Sequence, residues 1–217
     1  MNFDQARENM IKQQIRPWEV IDEKTLDLLE EIHREDFIAD QYKHLALADI
    51  NIPLLHGQAT MTPKVEARLL QHLAVQPYEK ILEIGTGCGY LTALLANSGN
   101  FVHSIDIFPE FMEHAKPRFK QYGLENIELY VGDAIHGWPG QGPYDVIVVT
   151  GSVPILELYF QQQLNIGGRL FVIVGQSPAM DARLITKTGA DAWSDESLFE
   201  TDLPALIGAP EPESFHF

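Results

Sequence analysis

The apolar positions of the chain change period near residue 80. Between residues 4 and 36 they return every three or four residues, the spacing of a helix with one buried face. Met10, Ile11, Gln14 and Ile15 set that spacing in a first segment, and Thr25, Leu26, Leu29 and Ile32 in a second. Pro17 ends the first segment, because a residue before proline avoids helical dihedrals. Asp22 is the expected N-cap of the second. Residues 37–50 carry no clear period, and Asn51–Gln58 reads as a turn-rich loop. Pro63 opens a helix through Leu69, Leu70 and Leu73, since proline is tolerated in a first turn.

From residue 80 short apolar runs alternate with helical stretches. The expected strands are Lys80–Ile84, Phe101–Ile105, Ile127–Val131, Val146–Thr150 and Leu170–Val174. The expected helices are Tyr90–Ala96, Pro109–Tyr122 and Val153–Leu164. This order predicts an α/β fold, a doubly wound and mainly parallel sheet with helices on both faces. Ala182–Thr188 and Leu198–Leu203 are expected to close it as an antiparallel hairpin around Gly189, and Ala209–Glu213 reads as a poorly ordered tail. One domain is expected: a helical extension and loop over 1–79, a core over 80–175, and the hairpin and tail over 176–217.

Charge narrows the partners. With 15 basic against 31 acidic residues the net charge is −16. Such a surface repels phosphate backbones and anionic membranes, so neither nucleic acid nor membrane is expected as a partner. The amino terminus is charged from the outset, unlike a secretory leader. No run approaches the roughly 18 apolar residues of a membrane span. The single cysteine, Cys88, cannot form an internal disulfide, which fits a reducing cytoplasm. It also excludes a cysteine-based zinc or iron–sulfur site, and no metal is expected.

The chemistry gathers at the first strand. Gly85, Gly87 and Gly89 remove three β-carbons in five residues, so the chain turns sharply and a ligand can lie against bare backbone at the start of a helix. Asp106 ends the next strand, about 20 residues on, where an acid serves a ribose hydroxyl pair. Asp133 and Ala134 follow the third strand, where an acid can accept from an adenine amino group. The spacing Gly-x-Gly-x-Gly differs from the dinucleotide pattern, which disfavours a nicotinamide dehydrogenase. Glu83, just before the turn, would oppose a phosphate and suit a cationic ligand. Acid, glycines, acid, acid resembles the S-adenosylmethionine site of the Rossmann-like methyltransferases.

Further motifs extend that likeness. Leu54-Leu55-His56-Gly57-Gln58-Ala59-Thr60-Met61-Thr62-Pro63, with Ile81-Leu82-Glu83-Ile84-Gly85-Thr86-Gly87-Cys88-Gly89-Tyr90, resembles the protein-L-isoaspartate O-methyltransferase family. So do Arg34–Ile38, Asp145–Thr150 and Gln163–Leu170. The resemblance covers residues 5–175 and implies a Rossmann-like sheet with a helical amino-terminal extension. It implies S-adenosylmethionine as methyl donor and a protein or peptide carboxylate as acceptor, the isoaspartyl residue of damaged protein. It assigns Gln58, Glu83, Gly85, Thr86, Gly87, Gly89, Asp106, Asp133 and Ala134 to the cofactor. A carboxylate is already anionic, so the reaction needs alignment and desolvation and no general base.

The sequence departs from the family pattern in the loop and after the fourth strand. Ala59 stands at the family's threonine and Met61 at its active-site serine, and methionine cannot donate a hydrogen bond. Thr60 and Thr62 flank that position and are the candidate catalytic hydroxyls; the alternative is that both cap the helix at Pro63. Gly151-Ser152 replaces two alanines. These departures leave two other possibilities open: a different carboxylate or small-molecule acceptor, or cofactor binding without turnover. His56 reads as a loop histidine, Lys64 and Arg68 as helix-surface charges, Cys88 as a filler, and His103, Trp138 and Trp193 as packing residues.

Overall fold

Ile81, Leu82 and Ile84 are buried, and they point alternately into two separate apolar cores. That is the signature of a strand covered on both faces. The protein, seen here in a computed structural model that describes residues 2–211, is built around this strand, β1 (Lys80–Ile84). β2 (Phe101–Asp106), β3 (Ile127–Val131), β4 (Tyr144–Val153) and β5 (Leu164–Gln176) run parallel to it. β6 (Ala179–Gly189) and β7 (Ala192–Thr201) are antiparallel. The order across the sheet is β3-β2-β1-β4-β5-β6-β7. It reverses between β1 and β4, the crevice in which open α/β sheets take their ligands.

The helix at Glu23 starts at its expected cap and the helix at Pro63 at its expected proline. α1 (Phe3–Met10) continues as a wider turn over Ile11–Ile15 and a tight one over Arg16–Trp18, closed by Glu19 at φ 64°. Asp22 Oδ2 accepts from the Thr25 amide at 2.9 Å and starts α2 (Glu23–Glu31). α3 (Pro63–Leu73) begins at its proline. α4 (Tyr90–Ser98) and α5 (Pro109–Gln121) follow β1 and β2.

Two expectations are corrected. No helix fills Val153–Leu164. β4 runs through Val153, Pro154 offers no amide to a helical turn, and only α6 (Tyr159–Gln162) is helical. β7 begins six residues before the expected Leu198. Its polar run Ser194–Glu196 lies on an exposed sheet edge, where charge is tolerated. The unread stretch at 37–50 holds a tight helical segment, Asp40–Leu45. Of the expected tail, Pro212 and Glu213 lie outside the described residues.

The amino-terminal helices are tied to the core by Arg34, which is 1% exposed. Its Nε donates to Glu66 Oε2 at 2.9 Å and its Nη1 to the Ala46 carbonyl at 2.6 Å. Its Nη2 donates to Thr60 Oγ1 at 3.0 Å and to the Met61 carbonyl at 2.7 Å. Neighbouring Glu35 pairs with Arg7 of α1. A buried ion pair is weak testimony for stability, yet removing one partner strands the other charge. Arg34→Ala is therefore expected to cost about 3–5 kcal/mol in urea unfolding; a loss below about 1 kcal/mol would contradict this reading.

Candidate functional site

β1 runs directly into Gly85-Thr86-Gly87-Cys88-Gly89, whose glycines all have positive φ (99°, 52° and 87°). A β-carbon on Gly85 would overlap the Thr150 hydroxyl, and one on Gly89 would lie 2.7 Å from Ala115 of α5. Gly85 and Gly87 line the cleft above the turn; Gly89 is required by helix packing instead.

Each neighbouring strand holds the turn. The Gly85 amide donates to the Ile105 carbonyl at 2.7 Å. Thr150, on β4, places its hydroxyl 2.9 Å from the carbonyls of both Ile84 and Gly85. Asp106 Oδ2 accepts from the Gly87 amide and Oδ1 from the Phe108 amide, each at 3.0 Å. Burial raises the Asp106 carboxyl above its usual range, against the pull of those amides. Each oxygen keeps lone-pair capacity for a further donor.

The resulting cleft, of about 100 Å³, spans the carboxyl ends of β1, β2, β3 and β4. Gln58, Ala59, Asp106, Asp133, Ala134 and Thr150 line it, with apolar walls from Ile105, Phe108 and Phe111. Among the described residues no lysine, arginine or histidine does. Asp133 Oδ1 accepts from the Ile135 amide at 3.0 Å, and Gly132 lies against the Trp138 ring, 3.0 Å from where a β-carbon would be.

A smaller cavity of about 50 Å³ lies behind the turn. Thr60, Met61, Glu66, Glu83, Thr86 and Cys88 line it, and it shares Leu54, Ala59, Gly85, Gly87 and Thr150 with the cleft. Glu83 is fully buried here. Its Oε2 accepts from Thr92 and Ser104, each at 2.5 Å, and the Thr86 and Ser104 hydroxyls are 2.7 Å apart. Its Oε1 has no partner. Burial pushes this carboxyl up to about 8, the two hydroxyl donors only partly opposing it.

The structure thus brings Gln58, Gly85, Gly87, Asp106, Asp133 and Ala134 to the cleft, and Glu83, Thr86 and Thr60 to the inner cavity. It separates the two candidate hydroxyls. Thr60 Oγ1 accepts from Arg34 and from the Ile52 amide, each at 3.0 Å, so its oxygen serves the scaffold. Thr62 heads α3, but its hydroxyl caps nothing, is buried without a partner and lines neither cavity. A bridge joins Pro53 to Ala59; Gln58 and Ala59 line the cleft, and Ala59, Thr60 and Met61 the inner cavity. His56 stacks on Phe108 at 3.9 Å, with Nε2 3.5 Å from Glu110 Oε2, clipping the loop to α5. Lys64 pairs with Asp49, and Arg68 donates to the Trp18 carbonyl; neither lines the cleft. Burial pushes the Cys88 thiol up to about 11.

Sequence reasoning missed one wall, formed by Leu203, Pro204, Leu206 and Ile207. Gly151 and Ser152 seat it. A β-carbon on Gly151 would lie 2.8 Å from Leu206, and Ser152 exchanges backbone bonds with Pro204 and Leu206 while its hydroxyl donates to the Leu203 carbonyl at 2.8 Å. The departure from two alanines was the available signal.

Residues 5–202 match the family model described as Protein-L-isoaspartate(D-aspartate) O-methyltransferase (PCMT). Protein-L-isoaspartate O-methyltransferase 2 of Pelobacter propionicus is 32% identical, over 96% of this chain and 93% of that one. Protein-L-isoaspartate O-methyltransferase 1 of Rhodopseudomonas palustris is 35% identical, over 98% and 90%. A solved protein-L-isoaspartate O-methyltransferase superposes with a TM-score of 0.78 at 26% identity, over 93% of this chain and 66% of that one. A Plasmodium falciparum protein solved in complex with S-adenosyl-L-homocysteine shares the fold at a TM-score of 0.78 and 18% identity, over 95% and 98%.

The Thr150 hydroxyl gives a direct check on the turn. Thr150→Val removes the donor from two carbonyls while keeping the shape, and is expected to cost about 1–3 kcal/mol; Thr150→Ser is expected to recover most of that in thermal unfolding. Equal behaviour of the two variants would show that the hydroxyl does not hold the turn.

Proposed function

The chain belongs to the protein-L-isoaspartate(D-aspartate) O-methyltransferase family, and on that premise we propose that it methyl-esterifies the isoaspartyl carboxylates of damaged proteins, using S-adenosylmethionine. The observation that carries this reading is the placement of Glu83, Asp106 and Asp133 around one backbone-lined turn, with no lysine, arginine or histidine among the described residues that line the two cavities. The residues fit the cofactor. Positive φ at Gly85 and Gly87 leaves bare backbone where a ligand would lie, and the buried, unpartnered Glu83 oxygen suits a positive charge.

In this reading Asp106 would hold the ribose hydroxyls, and Asp133 and Ala134 would meet the base, with Ile105 and Phe108 among the apolar walls. Gln58 and Ala59 border the reacting end. When bound, S-adenosylmethionine supplies an activated methyl group on a positively charged sulfur. The protein contributes alignment and exclusion of water. Leu54 covers Gly87, with Cδ1 3.4 Å from the site of a β-carbon, and Leu206 and Ile207 wall the opposite side. An acceptor carboxylate is ionised at neutral pH, so no side chain has to remove a proton. Thr60 acts through position: Arg34 and the Ile52 amide fix it, and it sets the height of the loop over the turn. The single cysteine supports a reducing, cytoplasmic setting for a repair role.

Methyl transfer to an isoaspartyl peptide, run beside its normal aspartyl twin, tests the activity. Labelling of the isoaspartyl member alone is expected; equal labelling, or none, would remove the repair reading. Met61→Ser restores a hydroxyl at the family's serine position and is expected to raise kcat/KM on that peptide. It opens space in the core, since Met61 is 5% exposed, so a stability loss of about 2–4 kcal/mol accompanies the gain. Asp106→Ala is expected to weaken S-adenosylhomocysteine binding by about 1–3 kcal/mol in calorimetric titration; unchanged affinity would place the ribose elsewhere.

A further inference from the structure

A third cavity, a groove of about 200 Å³, lies between the segment at residues 37–42, the loop at 52–55 and α5. Phe37, Ile38, Ile52 and Leu54 give it apolar walls, and α5 turns Phe111, His114 and Arg118 to it from one face. Among the described residues no aspartate, glutamate or lysine lines it. Arg118 is half-buried there. Its Nε donates to the Asp36 carbonyl at 3.0 Å and its Nη1 to the His114 carbonyl. Both acceptors are backbone oxygens. Among the described residues no carboxylate pairs with this guanidinium and its Nη2 has no acceptor, in a chain of net charge −16. The cofactor cleft has the opposite chemistry, acids without a cation, and Leu54, Gly87 and Phe111 line both.

We infer that this groove binds a small apolar monocarboxylate, and that its occupant strengthens cofactor binding through Leu54 and Gly87. The second half rests on the cofactor reading above. A guanidinium offers paired donors in the plane that a carboxylate matches, and an apolar body beside it removes Phe37, Ile38 and Ile52 from water. The volume holds about seven water-sized groups, the scale of a short-chain or aryl acid. Asp106 and Asp133 repel such an anion from the cleft, so charge sorts the two ligands between the two sites. Leu54 packs over the turn, with Cδ1 3.4 Å from the site of a β-carbon on Gly87, and also walls the groove. A ligand packed behind Leu54 props it over the turn, and by linkage the cofactor favours that ligand equally.

Calorimetric titration of the full chain with 3-phenylpropionate, beside its neutral twin 3-phenylpropionamide, tests the site. The acid is expected to bind about tenfold tighter than the amide, and Arg118→Gln to abolish that difference. Ala39 lines the groove, is exposed, and does not line the cleft. Ala39→Phe is expected to abolish binding of acid and amide alike while the melting temperature is retained. Saturating 3-phenylpropionate is expected to tighten S-adenosylhomocysteine binding about fivefold in the wild-type chain and to leave it unchanged in Ala39→Phe. No binding of the acid, or equal binding of acid and amide, would overturn the site. An unchanged S-adenosylhomocysteine affinity would overturn its coupling to the cofactor. Failure of S-adenosylhomocysteine to bind at all would remove the cofactor reading and the coupling with it, while acid against amide still decides the groove.

Discussion

The geometry of the site depends on how five residues, Gly85 to Gly89, are held at the carboxyl edge of the sheet. A glycine-rich turn has little shape of its own, because its backbone is free to choose. Here its conformation is imposed by its neighbours. β2 supplies the Ile105 carbonyl and the Asp106 carboxylate, β4 supplies the Thr150 hydroxyl, and α5 presses on Gly89 through Ala115. The side of the turn that faces the cleft is left as bare main chain, ready for a ligand without rearrangement.

A second constraint comes from the amino-terminal extension. Arg34 spends its donors on α3, on the chain at residue 46 and on the Thr60-Met61 segment. The loop that borders the reacting end is thereby fixed to the same body as the glycine turn. Loop position, and not a nucleophile or base, is the quantity this chemistry needs. The departure at Met61 is easier to understand in that light. Its side chain is buried beside the inner cavity, so the segment keeps its packing where the family's hydroxyl is lost.

The sequence was most legible where a single requirement dictates the residues. β1 and β3 have the expected ends, β1 because a strand buried on both faces must be short and apolar, and Asp22 caps α2. It was least legible where distant segments decide. The stretch after Val153 has helical composition, yet Ser152 pairs with Pro204 and Leu206, far along the chain, and the strand is drawn out. The roles of Thr60 and Thr62 could not be separated by spacing, because what each hydroxyl meets is set elsewhere in the chain: Arg34 and the Ile52 amide hold Thr60, and Thr62 finds no partner. Glu83 is legible as an acid next to the turn, but its place in the inner cavity and not in the cleft required coordinates.

The central claim is that a backbone-lined turn, flanked by carboxylates, forms the seat of a positively charged sulfur nucleoside. Its most direct test is a structure determined after soaking with S-adenosylhomocysteine. The expected result is the ribose on Asp106, the base beside Asp133 and the amino-acid end against Gly85 and Gly87. A carboxyl edge that stayed empty at saturating ligand, or that was filled by the side chains of Leu206 and Ile207, would contradict it.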